Sequence, residues 1–261
     1  MTNTLPVIAE VEGLGKIVEA TGDFYTGLNQ LKASGAVPIS PRDEAYARLR
    51  TRGKEDIGRS YGTRTSAGFE HVRGESPILR LDSRLLVPEL AKLAVSANAN
   101  GVYFCTDSTR EYEESFAQAQ EDANKPPAER NVIILPSRKY FVISDRENRE
   151  IYETIFKDQA ESYFELNGPI NVYPVPTNSK IVDNKSGTTL TQMWFRCLVD
   201  ASGLGGDGWY LHCDGGLRGV LKSGEADALQ HEFGHSYFIP KNAEETFGST
   251  IMGEAGVGGQ R

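Results

Sequence analysis

Residues 231–235 read His-Glu-Phe-Gly-His, and this pentapeptide constrains the fold more than any other segment of the chain. Apolar residues recur around it at helical spacing, at Ala226, Leu229, Phe233 and Phe238. This periodicity predicts a helix over residues 225–238 that ends before Pro240. Residues four apart lie on one face of a helix, so His231 and His235 are expected to face a common point, about 5–6 Å apart.

Two imidazoles on one helix face can bind a single metal ion, and the carboxylate of Glu232 then lies beside a metal-bound water. Zinc at this point would lower the pKa of the water and polarise a carbonyl group. Glu232 would accept the proton of the water and pass it to the leaving group. The spacing therefore predicts Zn²⁺ held by His231 and His235, with Glu232 as the general base of a hydrolysis.

A catalytic zinc ion usually has three protein ligands and one water. Candidates for the third ligand lie on both sides of the helix, and they are His212, Cys213, Asp214, Glu244, Glu245 and Glu254. A chain reversal at 239–242, followed by a short helix, would place Glu244 on the same inward face as Phe247 and Ile251. Glu245 is expected to cap that helix instead. Glu244 is the predicted third ligand, and the other candidates stay open.

The pentapeptide and its flanks resemble the zincin metallopeptidases. A predicted strand over 209–212 precedes the helix through a glycine-rich turn, as the substrate-aligning edge strand does in that superfamily. The segment 249–253, Ser-Thr-Ile-Met-Gly, resembles the methionine turn of the metzincin branch, and 231–236 is similar to its immunoglobulin-A-peptidase-like group. Metzincins carry their third ligand at the position that Lys241 occupies here, so the resemblance implies a different third ligand.

The resemblance, which covers roughly residues 130–261, implies a zinc metallopeptidase that hydrolyses peptide bonds and takes a protein or peptide as its substrate. Two alternatives stay open. One is a zinc hydrolase of a non-peptide amide, and the other is a non-catalytic zinc-binding protein with a degenerate site.

Strands and helices alternate along the second part of the chain. Strands are predicted at 102–105, 132–135, 140–143 and 170–175, and helices at 85–97, 108–123 and 144–167. The predicted class is α/β or α+β, with a zincin-like mixed sheet and an active-site helix. Residues 1–76 are weakly patterned and are predicted as an N-terminal extension or linker, with 41–74 as an exposed connection or lid. Residues 77–261 are predicted as the zincin-like metallopeptidase domain.

Composition limits the partners and the compartment. The chain has 261 residues, a formal net charge of −8 and three cysteines. This acidity argues against binding to nucleic acid or to an anionic membrane. We find no apolar run approaching the roughly 18 residues of a membrane span and no secretory signal at the N-terminus. The sequence therefore predicts a cytoplasmic protein with reduced cysteines, of unspecified oligomeric state.

Overall fold

The computed structural model describes residues 5–52, 57, 63–138, 140–144, 148–174, 187–195, 203–206, 211–212 and 216–221. The chain divides into two compact units, Met1–Gly224 and Glu225–Arg261. All described residues belong to the first unit. The predicted helix over 225–238 lies outside the described residues.

One mixed sheet carries the described part of the chain. Its 11 strands are β1 (Val7–Val11), β2 (Gly15–Ala20), β3 (Val37–Pro38), β4 (Thr63–His71), β5 (Ile78–Arg80), β6 (Val132–Ile134), β7 (Phe141–Ile143), β8 (Ile170–Tyr173), β9 (Thr189–Phe195), β10 (Gly203–Gly205) and β11 (Leu217–Leu221). The strand order is β1-β2-β11-β4-β9-β10-β8-β7. Outside this path, β3 pairs with β11, and β5 pairs with both β4 and β6. Only the β4–β11 and β8–β10 pairs are parallel among these strands.

Six α-helices accompany the sheet in the described residues. They are α1 (Phe24–Ser34), α2 (Pro41–Thr51), α3 (Pro88–Ala99), α4 (Arg110–Asp122), α5 (Arg149–Phe156) and α6 (Ala160–Asn167). Short 3₁₀ turns occupy Arg84–Leu86, Pro127–Glu129 and Lys157–Gln159.

Local sequence explains where the first two helices begin and end. The side chain of Asp23 accepts a hydrogen bond from the backbone N–H of Thr26 and so caps the start of α1. Gly35 ends α1 with a φ of 75°, a left-handed conformation that glycine adopts without steric cost. Ser40 caps α2 in the same way as Asp23, and Pro41 fills its first position, where the missing N–H is not needed.

The main core lies between the sheet and the helices α2, α5 and α6. Three rings form its centre, with ring centroids 4.7 Å apart for Phe156 and Tyr163 and 6.0 Å apart for Phe156 and Phe195. Alternate residues of β7, β8, β9 and β10 face this core, and they are Phe141, Ile143, Ile170, Val172, Phe195 and Leu204. Because side chains alternate along a strand, the residues between them lie on the opposite face of the sheet.

Strand β4 changes its partner at a bulge between Arg64 and Gly68. Before the bulge it pairs with β11, and after it with β5. The buried side chain of Gln192, on β9, donates hydrogen bonds to the carbonyls of Thr65 and Ala67. The Gln192 amide thus provides hydrogen-bond donors for two backbone carbonyls that the bulge removes from the regular β-ladder of hydrogen bonds.

A buried carboxylate connects α2 with the sheet. Glu44 accepts hydrogen bonds from the Arg48 Nε and the Arg218 Nη1, each at 2.7 Å. Arg218, on β11, also donates to Glu19 of β2 at 3.2 Å and to the carbonyl of Ile57 at 2.9 Å. The charges of these four side chains sum to zero, and together they fix β11 to its neighbours.

The segment before residue 77 contributes four strands and two helices to this unit. The prediction of an exposed connection or lid over 41–74 is wrong for its described residues, because α2 and β4 stand there. Strand β4 is buried on both faces although it contains Thr63, Arg64, Thr65 and Glu70. Polar residues in a doubly buried strand have no apolar alternation, and the sequence therefore suggested a loop.

The predicted fold class, a zincin-like mixed sheet with an active-site helix, is also wrong. The described residues form an 11-stranded mixed sheet in which β11, near the end of the first unit, lies between two N-terminal strands. The predicted edge strand over 209–212 is not formed at Leu211 and His212, which lie in a turn. The predicted strand over 170–175 corresponds to β8, which lies inside the sheet between β10 and β7.

Candidate functional site

The residues predicted to bind zinc and to catalyse hydrolysis, which are His231, Glu232, His235 and Glu244, lie outside the described residues. Cys213, Asp214, Glu245 and Glu254 lie outside them as well. Within the described ranges, no group of three or more His, Cys, Asp or Glu side chains is arranged to hold a metal ion. The Zn²⁺ assignment stays a prediction, and a candidate site must be built from other residues.

Such a site lies on the face of the sheet opposite the main core. The strand register places Asn171 of β8 beside Gly203 of β10, and Tyr173 beside Gly205. Gly205 in turn pairs with Trp194 of β9. We call Tyr140, Asn171, Tyr173 and Trp194 the aromatic face.

Contacts at one end of the aromatic face fix its geometry. The ring of Tyr140, just before β7, lies 4.9 Å from the ring of Tyr173, with 38° between the ring planes. The Tyr140 hydroxyl donates a hydrogen bond to the Asn171 Oδ1 at 2.7 Å. Tyr140 is 45% exposed, and Asn171 and Tyr173 are half-buried. The bond to Oδ1 turns the amide N–H groups of Asn171 away from Tyr140, where they can donate to a further acceptor.

Strand β10 contributes no side chain to the aromatic face. Gly203 and Gly205 have none, and Leu204 between them faces the main core. Tyr173 and Trp194 are therefore two strand spacings apart, about 9–10 Å, with no β10 side chain between them. The face offers two aromatic positions across a backbone strand, with an amide beside one of them.

Sequence reasoning missed this site although a signal for it was present. The strands over 140–143 and 170–175 are predicted, but not as parts of a binding surface. In each, apolar residues in one phase alternate with Tyr140 or with Asn171 and Tyr173 in the other. This alternation is typical of a strand with one buried face and one accessible face.

A separate ionisable group, His71, is half-buried at the end of β4. Its Nδ1 is buried, with no hydrogen-bond partner in the described part of the chain. Burial lowers the pKa of this imidazole below its usual value near 6.5, because the charged form loses its hydration.

We expect His71 to make folding less favourable in acid. Its folded-state pKa is the lower one, so the unfolded chain binds more protons. The stabilisation by neutral His71 is present above its unfolded pKa and is lost as the pH falls through its folded pKa. When the pH is lowered from about 7.5 to 5, the Tm should fall in both proteins. It should fall less in His71→Gln than in the wild type. Equal Tm shifts in the two proteins would contradict this assignment.

Comparisons with known proteins were made for the whole chain. No family model matches it, and no curated protein matches it. It is similar to a solved structure described as showing how the C-type lectin fold accommodates massive sequence variation in Nanoarchaeota. The two share 16% identity over 81% of this chain and 99% of the other, with a TM-score of 0.49.

These findings correct the functional predictions made from the sequence. The resemblance to zincins, the assignment as a zinc metallopeptidase and its description as a hydrolase or metalloprotease are wrong. The described residues form the 11-stranded mixed sheet given above, Leu211 and His212 lie in a turn where the edge strand is expected, and these residues hold no metal-binding group. The two alternatives, a zinc hydrolase of a non-peptide amide and a degenerate zinc-binding protein, are not supported either.

None of the described helices is long and apolar enough to cross a membrane.

Proposed function

We propose that this chain is a binding protein and that its aromatic face holds a neutral carbohydrate. The observation that carries the proposal is the exposed ring of Tyr140, held against Tyr173 and hydrogen-bonded to Asn171. A ring fixed in this way is ready for contact before any ligand arrives.

The chemistry of a sugar suits this arrangement. A pyranose ring has a flat face of C–H groups and a rim of hydroxyl groups. The C–H face packs on an aromatic ring, and the hydroxyl rim hydrogen-bonds to an amide such as that of Asn171. Tyrosine also supplies a large contact area at a small cost in conformational entropy, because it has two side-chain torsions.

The absence of charge among the four residues of the aromatic face favours a neutral ligand. Tyr140, Asn171, Tyr173 and Trp194 are all uncharged near neutral pH. Tyr173 and Trp194 offer two aromatic positions about two strand spacings apart across β10, so an oligosaccharide is favoured over a monosaccharide.

Calorimetric titration with neutral hexasaccharides tests the proposal, using cellohexaose, chitohexaose and maltohexaose as probes. At least one should bind the wild type saturably. Tyr140→Ala should weaken that binding about tenfold or more, because removal of an aromatic anchor residue typically reduces affinity by this factor.

Leu93→Ala is the matched control, because Leu93 is an exposed apolar residue of α3 that is not part of the aromatic face. It should bind like the wild type. The proposal fails if none of the hexasaccharides binds, or if Tyr140→Ala and Leu93→Ala bind equally well.

A further inference from the structure

Lys157 lies at the end of α5 in a backbone conformation that is rare for a lysine. Its φ is 55° and its ψ is −129°. A positive φ favours glycine, because any residue with a Cβ atom is strained there. Strained residues persist only where the surrounding structure holds them, and they are concentrated at functional sites. The fold therefore keeps this lysine in a defined position at the cost of backbone strain.

The amine of Lys157 has one polar contact, and that contact is with a neutral group. The Nζ donates a hydrogen bond to the backbone carbonyl of Arg130. The Arg130 guanidinium is directed elsewhere, to the Glu150 carboxylate at 2.7 Å and to the backbone carbonyl of Lys125 at 2.9 Å. Among the described residues, no carboxylate forms a salt bridge with Lys157. A charged Lys157 is therefore half-buried without an ion-pair partner.

This environment disfavours the charged form of the amine. Burial lowers the pKa of Lys157 to about 8, because the ammonium group loses hydration. The negative charges of Asp122 and Glu129 act in the opposite direction but do not offset the burial. The neighbouring carboxylate of Asp158 is paired with Arg42 at 2.7 Å. At pH 8 about half of the Lys157 amines are therefore neutral, against about 1% or less for a lysine of ordinary pKa.

Lys125 lies nearby in the opposite environment. Its Nζ is 2.7 Å from the Asp122 Oδ1, and its side chain is 46% exposed. The hydrogen bond with Asp122 raises the pKa of Lys125. Asp122 thus keeps Lys125 charged, while Lys157 has only a carbonyl. A neutral amine is a nucleophile and an ammonium group is not, so the two lysines are expected to differ in reactivity.

We propose that Lys157 is a modification site that takes a small acyl group from an acyl phosphate. The Nζ lone pair forms a bond to the acyl carbon. The bond from that carbon to the phosphate oxygen breaks, and the phosphate leaves with the electron pair and takes up the amine proton. The product is an amide that keeps one N–H. The hydrogen bond to the Arg130 carbonyl is therefore retained while the unpaired charge is removed.

Acetylation of the full chain by acetyl phosphate at pH 8 tests this proposal, with each lysine followed by mass spectrometry of its peptide. Lys157 should be acetylated about tenfold faster than Lys125, or more, because a far larger fraction of it is neutral. Lys92 is a second control, since it is an exposed residue of α3 that forms no salt bridge with the described residues. It should also be acetylated about tenfold more slowly than Lys157. Lys157→Arg should lose the fast reaction and leave the other two rates unchanged.

Two further measurements connect the reactivity with the fold. In the urea-unfolded chain, Lys157, Lys125 and Lys92 should be acetylated at rates within about threefold of one another, because the folded environment is lost. The chain acetylated only at Lys157, isolated by ion exchange, should have a Tm no lower than that of the unmodified chain. It has lost a half-buried unpaired charge and no hydrogen bond.

The proposal is overturned if Lys125 or Lys92 is acetylated as fast as Lys157 in the folded chain, or if the preference for Lys157 persists in urea. A lower Tm of the chain acetylated at Lys157 also overturns it, because the fold then does not accommodate the acyl group. None of these results depends on carbohydrate binding at the aromatic face.

Discussion

Glu44→Gln is expected to destabilise the protein by about 3–5 kcal/mol, the cost of breaking a buried ion pair from one side. Glu44 is the carboxylate that Arg48 and Arg218 share, each at 2.7 Å. Without its charge, each of the two buried guanidinium groups loses the carboxylate that it contacts at 2.7 Å. Urea denaturation followed by circular dichroism measures the change in the free energy of unfolding.

The exposed pair Arg110–Glu114 is a matched control for this experiment. It has the same spacing of four residues along a helix and a similar N–O distance of 2.9 Å. Exposed pairs contribute at most about 1 kcal/mol, so Arg110→Gln should be nearly neutral. A Glu44→Gln variant no less stable than Arg110→Gln would show that the buried cluster contributes little to stability.

Gly68→Ala is expected to cost about 3 kcal/mol, at the upper end of the range for overpacking. Gly68 lies just after the bulge of β4. A Cβ atom there would stand 2.4 Å from the Ser83 Oγ and 2.6 Å from the backbone oxygen of Thr191. The Ser83 hydroxyl caps a 3₁₀ turn and the Thr191 carbonyl belongs to β9, so neither group moves away without loss. Thermal and urea denaturation both measure this effect.

The same substitution at Gly27 should have the opposite sign. Gly27 lies inside α1, and a Cβ atom there meets the Leu217 Cβ at 3.4 Å, an ordinary contact. Alanine is favoured over glycine in a helix by roughly 0.5–1 kcal/mol, so Gly27→Ala should be neutral or slightly stabilising. If the two variants are equally stable, the close approach at Gly68 is not rigid.

Periodic segments of the sequence were predicted well. The strand over 132–135 and the helix over 108–123 are confirmed as β6 and α4, and the strand over 140–143 is confirmed as β7. Each combines a regular apolar pattern with clear end signals, such as the prolines after α4. Local propensity and tertiary packing agree in these places.

Two central strands could not be predicted from the residue pattern of their own segments. In β4, Glu70 is buried because Arg80 and Arg84 neutralise it, and neither arginine lies in β4. In β11, Arg218 interrupts a short apolar run, and its partner Glu44 is 174 residues away. A pattern within one segment contains no information about such pairs.

The functional prediction failed for a related reason. It rested on five residues, 231–235, and on the expected strand over 209–212 beside them. A short motif indicates a function only when its structural context is also present. Leu211 and His212 form a turn, so the described part of that context differs from the zincin arrangement. The aromatic face draws its residues from β8, from β9 and from the position just before β7, and the register that joins them was not predicted.

The position of β11 bears on how the chain folds as it is synthesised. Strands β2 and β4 flank β11 in the sheet, although both precede it by well over a hundred residues. Until residue 221 has left the ribosome, the facing edges of β2 and β4 have no strand between them. Pairing across so long a separation is slow, and exposed strand edges promote association with other chains. Nascent chains are therefore expected to be prone to association through the unpaired edges of β2 and β4 until β11 is inserted.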